Sequence, residues 1–489
     1  MYKKQFRRAA ALALAALMTF GAFIMTGCGR SYEHIFGDVE WLSTYKEDSS
    51  DTKVNTIKDS YYYSDDWFSD DPSYDNKELA LASMQLIASC MSDDDDGTGA
   101  AFLDSMGFDE IGFSDFSSSD PDDCNYTWAR KTIGDDTTLT AVVIQGVNYN
   151  WHLRNKAWKQ NFTVNEPGAA DPSGEHYAYA NAADSVLDDI ESLAGDGDTI
   201  FWITGHSRGG AIANVLAPRL QEKYGDAKIF VYTFEAPATV DAEAVSGDYK
   251  YIHNYVCSDD IVTRVPMWGM TRYGEMHDLG KDTDKDLDEA LEALGSSAAG
   301  MKARIVTGDV VDKLSANLEA RVPTRADFSA ERTDKWKDAD GKTHKLTYSY
   351  QEALVKLMDL VFRKDSSGSL LEGLAAKRGD LEGAIGHLTK GVKNEAGGSD
   401  PAAEYWEATG TLYKVLKDVS GGELPVSKRD LYKVVSFAAP VLITIPEGGG
   451  EPDTELLTDV IGYSRELAYS HQFDTVIARL KILAPTPKK

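Results

Sequence analysis

The pentapeptide Gly205-His206-Ser207-Arg208-Gly209 restricts the fold of this chain more than any other stretch. The apolar run TIFWI at 199–203 precedes it, and the small-residue run GAIANVL at 210–216 follows. That order reads strand, tight turn, helix. A G-x-S-x-G in this setting is a nucleophile elbow, in which the Ser occupies a sharp, strained strand-to-helix turn. Glycines two residues to either side keep Cβ atoms out of the bend. The helix beginning there aims its first amides and its positive dipole end at the place where an oxyanion would develop.

An elbow of this kind needs a parallel sheet, and the flanking sequence supplies one. Residues 137–144 (TTLTAVVI) form a buried-strand pattern, 228–233 (KIFVYT) another and 251–256 a third, ending at Ser258-Asp259-Asp260. Helical spacing appears at 78–91 and 177–193. Strands alternating with helices predict an α/β fold with a mostly parallel central sheet. After about residue 280 the strand signals thin out, and amphipathic helices are expected near 286–294, 350–362 and 405–416. The expected organisation is a hydrolase core at 61–280 plus 456–489, interrupted by a helical cap insertion at 281–455. The acidic run 282–286 lacks the Gly and Glu of a calcium loop, with Leu287 and Ala293 in their places.

The N-terminus reads as an export signal. Lys3, Lys4, Arg7 and Arg8 precede an uncharged, mostly apolar stretch at 9–25, and Thr26-Gly27-Cys28 follows. Met25-Thr26-Gly27-Cys28 resembles a bacterial lipobox. This predicts a signal peptide over 1–27, lipidation of Cys28 and a polar tether over 28–60, on the extracytoplasmic face of a membrane. A plain secretory signal is the alternative. The remaining cysteines, Cys90, Cys124 and Cys257, allow at most one disulfide, and no Cys/His spacing suggests a metal ligand set. The net charge of −29, from 79 acidic and 50 basic residues, argues against nucleic acid as a partner.

A Ser hydroxyl needs an adjacent base, and the base needs an orienting carboxylate. In the hydrolase order Ser, acid, His, the acid is Asp260, with Asp259 as the rival. His471 is the preferred base because it lies beyond the insertion, where core sequence resumes; His277 is next, and His344 and His387 sit in polar insert sequence.

Four stretches together resemble the class 3, fungal-lipase-like family of the α/β-hydrolase fold. They are Val142 to Val147, the elbow through Ala211, Tyr232-Thr233-Phe234-Glu235-Ala236-Pro237, and Asn254 through Pro266. The third is similar to the family's Thr-Phe-Gly-x-Pro and the fourth to its Asp-x-Val-Pro-Arg-Leu-Pro. The resemblance implies a serine ester hydrolase acting on lipid esters without metal or cofactor. It also implies an oxyanion hole from the backbone N–H groups of Val147 and Arg208. Gln145 stands where the family has Arg, and Val147 where it has a hydroxylated residue. An inactive surface scaffold, and acyl transfer or thioester cleavage, are the rival functions.

Overall fold

A computed structural model describes residues 34–42, 56–91, 97–114, 124–134, 136–146, 160–165, 173–191, 198–266, 269–296, 301–361, 377–422, 424, 426–446, 450–462 and 469–484. In chain order the first elements are strands β1 (His34–Leu42) and β2 (Thr56–Ser64), helices α1 (Lys77–Cys90) and α2 (Thr98–Ser105), and strands β3 (Glu110–Phe113), β4 (Tyr126–Ile133) and β5 (Thr137–Ile144). Helix α3 (Tyr177–Glu191), strand β6 (Thr199–His206) and helix α4 (Arg208–Tyr224) follow. Next come strands β7 (Lys228–Phe234), β8 (Val240–Asp241), β9 (Ile252–Val256), β10 (Met270–Thr271) and β11 (Glu275–Asp278).

Seven of these strands form the central sheet, in the order β11-β9-β7-β6-β5-β4-β3. Strands β5, β6, β7, β9 and β11 run parallel, while β3 and β4 are antiparallel additions at one edge. The central strands are apolar on both faces because both faces are covered. Trp202, Phe230 and Tyr232 point into one core with α1 and α2. Phe201, Ile203 and Val231 point into the other with α3 and α4. This is the α/β-hydrolase architecture that the strand and helix order predicts.

The second half of the chain contains α5 (Leu279–Thr283), α6 (Leu287–Ala293), α7 (Met301–Arg321), α8 (Arg325–Ser329), β12 (Arg332–Lys337), β13 (Thr343–Tyr348), α9 (Tyr350–Val361), α10 (Arg378–Ala396), α11 (Ala402–Val419), α12 (Lys428–Leu442), α13 (Glu455–Gly462) and α14 (Phe473–Leu483). Most of it has its own core, built on Trp336, Tyr405, Leu416 and Tyr432. A smaller cluster joins Phe328, Tyr350 and Phe437 to Phe162 and Val164 of the first half. Arg325 adds a polar bolt there: it donates to the carbonyls of Val164 and Glu175 and lies 3.4 Å from Asp241. Among the described residues no helix is long and apolar enough to cross a membrane.

Two expectations need correction. Residues 28–60 do not form a tether throughout, because β1 and β2 pair antiparallel from His34↔Ser64 to Leu42↔Thr56. Val39, Trp41 and Ile57 are buried in the main core, and Trp41 Nε1 donates to Asp474 Oδ1 at 3.0 Å. The segment after residue 280 is not a uniform helical cap either. Leu287, Leu291 and Leu294 pack in the main core with Val476 and Leu480 of α14, and β12 and β13 form a hairpin inside the insertion. The signal peptide and Cys28 lie outside the described residues.

Candidate active site

Three adjacent parallel strands deliver the site at their carboxyl ends, the usual location for a site on such a sheet. Strand β6 ends at His206 and is followed by Ser207, which has φ 56° and ψ −129°. The turn is tight because backbone crosses backbone. A Cβ on Gly205 would lie 2.4 Å from the Gly209 carbonyl, and one on Gly209 would lie 2.2 Å from the Ile144 carbonyl oxygen. Only glycine fits at either place. Ser207 N–H donates to the Phe234 carbonyl at 2.9 Å, which locks the elbow to the end of β7.

Strand β9 ends at Val256, and the loop beyond it carries Asp260, which is fully buried. Asp260 Oδ1 accepts from Val262 N–H at 2.9 Å, and Oδ2 lies 2.6 Å from His471 Nδ1. His471 Nε2 lies 2.9 Å from Ser207 Oγ. The structure thus brings Ser207, His471 and Asp260 into one hydrogen-bonded chain. A carboxylate oxygen accepts, so His471 Nδ1–H donates to Asp260 and Nε2 faces the Ser207 hydroxyl.

The rival candidates sit elsewhere. Asp259 Oδ2 accepts from Ser470 Oγ at 2.6 Å and so braces the residue before His471. His277 lies on edge strand β11, 3.2 Å from His253 Nδ1 and 3.3 Å from Asp75 Oδ2. His344 and His387 pair with Asp338 and Glu404 in the insertion. Asp75, His253 and His277 are the one grouping of metal-ligand types among the described residues. The Lys77 ammonium already sits on Asp75 Oδ2, and Tyr255 hydroxyl donates to Oδ1, so the carboxylate is engaged and a second cation is repelled.

Several neighbours set the electrostatics. His206 Nε2 donates to the His471 carbonyl at 2.9 Å and fixes the backbone of that residue. Burial, and then the adjacent His471 ring, push His206 well below the usual imidazole range, so it stays neutral. Gln145 donates to the Cys90 carbonyl, tying the end of β5 to α1. Arg272 is buried, held down to about 10 by that burial and so still cationic, and it donates to the carbonyls of Ala236 and Thr263. Arg208 N–H lies in the first turn of α4, at the positive end of the helix. Gly146 approaches the elbow closely, since a Cβ there would stand 3.0 Å from the His206 carbonyl oxygen. Val147, expected as the second oxyanion donor, lies outside the described residues. The anchoring roles of His206, Ser470 and Arg272 were not readable in the sequence, because each depends on residues distant along the chain.

No protein of curated function matches the chain. Residues 142–270 match the family described as Lipase (class 3). Among solved structures the chain is similar to a lipase from Rhizopus microsporus var. chinensis, at 16% identity over 39% of this chain and 68% of that one, with a TM-score of 0.26. It is also similar to M37 lipase, at 16% identity over 48% and 80% with a TM-score of 0.28. The Lip2 lipase from Yarrowia lipolytica matches at 14% identity over 43% and 76%, with a TM-score of 0.26. The segment matched by the family runs from the end of β5 past β9, and so holds the elbow and the Asp260 loop, which sit on a seven-stranded mixed sheet. Over that segment the chain is similar to the class 3 lipases, and the protein is a lipase-like ester hydrolase of the α/β-hydrolase fold.

Proposed function

We propose that this hydrolase acts through Ser207 as nucleophile, His471 as general base and acid, and Asp260 as the orienting carboxylate, on lipid esters at the cell surface. The observation that supports it most is the relay of 2.9 Å and 2.6 Å from Ser207 through His471 to Asp260, on a Ser held at φ 56°. In acylation Ser207 Oγ attacks the ester carbonyl and passes its proton to His471 Nε2. Asp260 faces the resulting imidazolium. The oxyanion is met by Arg208 N–H and, by resemblance, by Val147 N–H. His471 then returns the proton to the leaving alcohol. Water enters, gives its proton to His471 and attacks the acyl-enzyme; collapse releases the acid and returns the proton to Ser207. These steps use protein groups and water alone.

Acylglycerols or related lipid esters are the proposed substrates, and the insertion is proposed to cap the cleft. The protein is proposed to sit on the extracytoplasmic face through a lipid on Cys28. Labelling with a fluorophosphonate tests the nucleophile: wild type should react and S207A should not. Absence of labelling in folded wild type would favour a scaffold protein. A chain-length series of nitrophenyl esters, assayed with and without an added alcohol acceptor, then separates a lipase from a short-chain esterase or an acyltransferase.

A further inference from the structure

A second carboxyl lies beside the candidate triad, at a position that does not favour it. Glu235 follows the last residue of β7, between the strands that deliver Ser207 and Asp260. Its φ is 46°, in the left-handed region that glycine occupies freely and other residues only under strain. The family pattern that this stretch resembles, Thr-Phe-Gly-x-Pro, has glycine at this place. The chain therefore keeps a strained residue where an unstrained one would serve the turn, and the side chain is the only thing gained.

That side chain is completely buried. Glu235 Oε2 accepts from Cys257 N–H at 3.0 Å. Oε1 is buried and meets no donor, and Asp260 N–H donates to the carbonyl of the same Cys257 at 3.1 Å, which sets the two carboxyls side by side. Two ionised carboxylates cannot share such a buried place: each would be an acceptor facing an acceptor. Asp260 has its oxygens committed, one to Val262 N–H and one to His471 Nδ1–H, and both partners call for the ionised form. The atom that lacks a donor is on Glu235, and it becomes satisfied by carrying the proton itself.

The remaining charged and titratable groups agree. Arg272 is a buried cation that feels both carboxyls, but its Nε and Nη2 are turned to the carbonyls of Ala236 and Thr263. The Cys257 thiol is pushed up by burial, so it is no charge partner; Asp259, farther along the same loop, and Arg479 of α14 are the other charged groups near that thiol. Burial, and then the Asp260 charge, push Glu235 well above the usual carboxyl range.

We propose that Glu235 is a protonated positioning residue that donates its Oε1–H to the Asp260 carboxylate and so fixes the charge facing His471. The proposal rests on the assignment of Asp260 and His471 above. Glu235 does not touch the reacting atoms. It gives Asp260 a further donor, which holds the carboxylate in place and moderates how strongly it stabilises the imidazolium.

The first test does not involve turnover, so it can fail separately from the triad assignment. Infrared spectra of the folded protein at about pH 8 should show the C=O stretch of a protonated carboxyl, well above where free carboxyls titrate. Carboxyl-labelling all glutamates with ¹³C should move that band, and labelling aspartates should not. No such band, or a band that moves only with aspartate label, overturns the proposal. The second test is the acidic limb of the kcat/KM profile, which reports proton loss from the base. Glu235→Met removes the donor and should move the limb up by about half to one pH unit. Glu235→Gln restores a neutral donor and should return the limb to within about 0.3 unit of wild type. If Glu235 is instead ionised, both variants delete a negative charge and the limb moves down, which refutes the proposal. Should either variant fail to fold, the labelling experiment on wild type still decides.

Discussion

Asp260→Asn changes one atom of the candidate triad, and the structure determines what the change does. Asp260 accepts two hydrogen bonds from opposite sides, Val262 N–H at 2.9 Å on Oδ1 and His471 Nδ1 at 2.6 Å on Oδ2. Asparagine has one acceptor oxygen and one donor nitrogen. If its oxygen stays on Val262 N–H, its NH₂ faces His471 Nδ1, which must then accept. The imidazole proton moves to Nε2 and points at Ser207 Oγ, which is 2.9 Å away and loses its base. The opposite flip preserves the tautomer but sets two donors against each other at a fully buried position, at a cost of about 1–3 kcal/mol. It also leaves the imidazolium without its carboxylate. The first orientation should prevail, and kcat/KM should fall by about 10⁴, or about 5.5 kcal/mol of transition-state stabilisation. Asp259→Asn is the matched control. The Asp259 carboxylate accepts the 2.6 Å bond from Ser470 Oγ, which an amide oxygen can still accept, so the loss should stay below about tenfold. The assay is hydrolysis of a short-chain nitrophenyl ester, with thermal unfolding of both variants to show that they are folded. A D260N enzyme within about 10² of wild type, or a D259N enzyme that is the more damaged of the two, would refute the reasoning.

Other consequences can be measured alongside. Ser207→Ala and His471→Ala should each lose about 10⁴–10⁶ in turnover and agree within about tenfold, because they act as a unit, whereas His277→Ala should cost less than about tenfold; turnover that follows His277 and not His471 would move the base. Glu235→Gln should raise Tm relative to wild type at about pH 8, and the difference should vanish near pH 4. The sign follows from the raised position of Glu235 in the folded protein. Below the unfolded carboxyl range both states hold the proton, and as pH rises the unfolded chain releases it while the folded one retains it, so wild type loses up to about 1.4 kcal/mol per pH unit that the amide does not. A Tm difference that is flat with pH would contradict this. Cys28→Ser should abolish membrane retention in cell fractionation, since stable anchoring needs more than one acyl chain; unchanged retention would remove the lipobox from consideration.

The elbow and the Asp260 loop were legible because they are local. The glycines of 205–209 encode a backbone crossing so close that an added Cβ would stand 2.2–2.4 Å from the crossing chain, and the acid follows soon after a strand. His471 was legible only through its place after the insertion, since its pairing with Ser207 spans 264 residues. The β1–β2 hairpin was missed although its alternation was present: Val39 and Trp41 point inward between Asp38, Glu40 and Leu42. Its charged outer face made the stretch look like a solvated tether. The β12–β13 hairpin hides in the same way, with only Trp336 and then Leu346 and Tyr348 buried among Lys and Thr. Glu235 could be read in the sequence only as a departure from glycine. What it does depends on Cys257 and Asp260, which a neighbouring strand brings to it.

The insertion offers the remaining test, and its attachments say how to make it. Helix α7 passes the acid loop closely enough that a Cβ on Gly308 would lie 3.7 Å from Asp259 Cβ, and Arg264 reaches Asp312 at 3.2 Å. Farther on, Arg325 holds the carbonyls of Val164 and Glu175, and Phe437 and Tyr350 pack with Phe162 and Val164. A body fastened this close to Asp260 can bury the acyl chain of a bound ester, and each methylene it covers is worth about 0.8 kcal/mol. Replacing 301–450 by a Gly/Ser linker should therefore spare acetate esters and reduce kcat/KM increasingly with chain length, by roughly tenfold for every two methylenes that lose their cover. Such a deletion exposes the Phe162 and Val164 surface and can fail to fold. Arg325→Ala is the milder version, leaving two carbonyls and Asp241 without their cation at a cost of about 1.5–3 kcal/mol. It should speed proteolytic release of the insertion and flatten the chain-length profile in the same direction. If the insertion loosens and the profile of nitrophenyl acetate through dodecanoate does not change, the acyl chain lies elsewhere and the insertion serves a partner instead of the substrate.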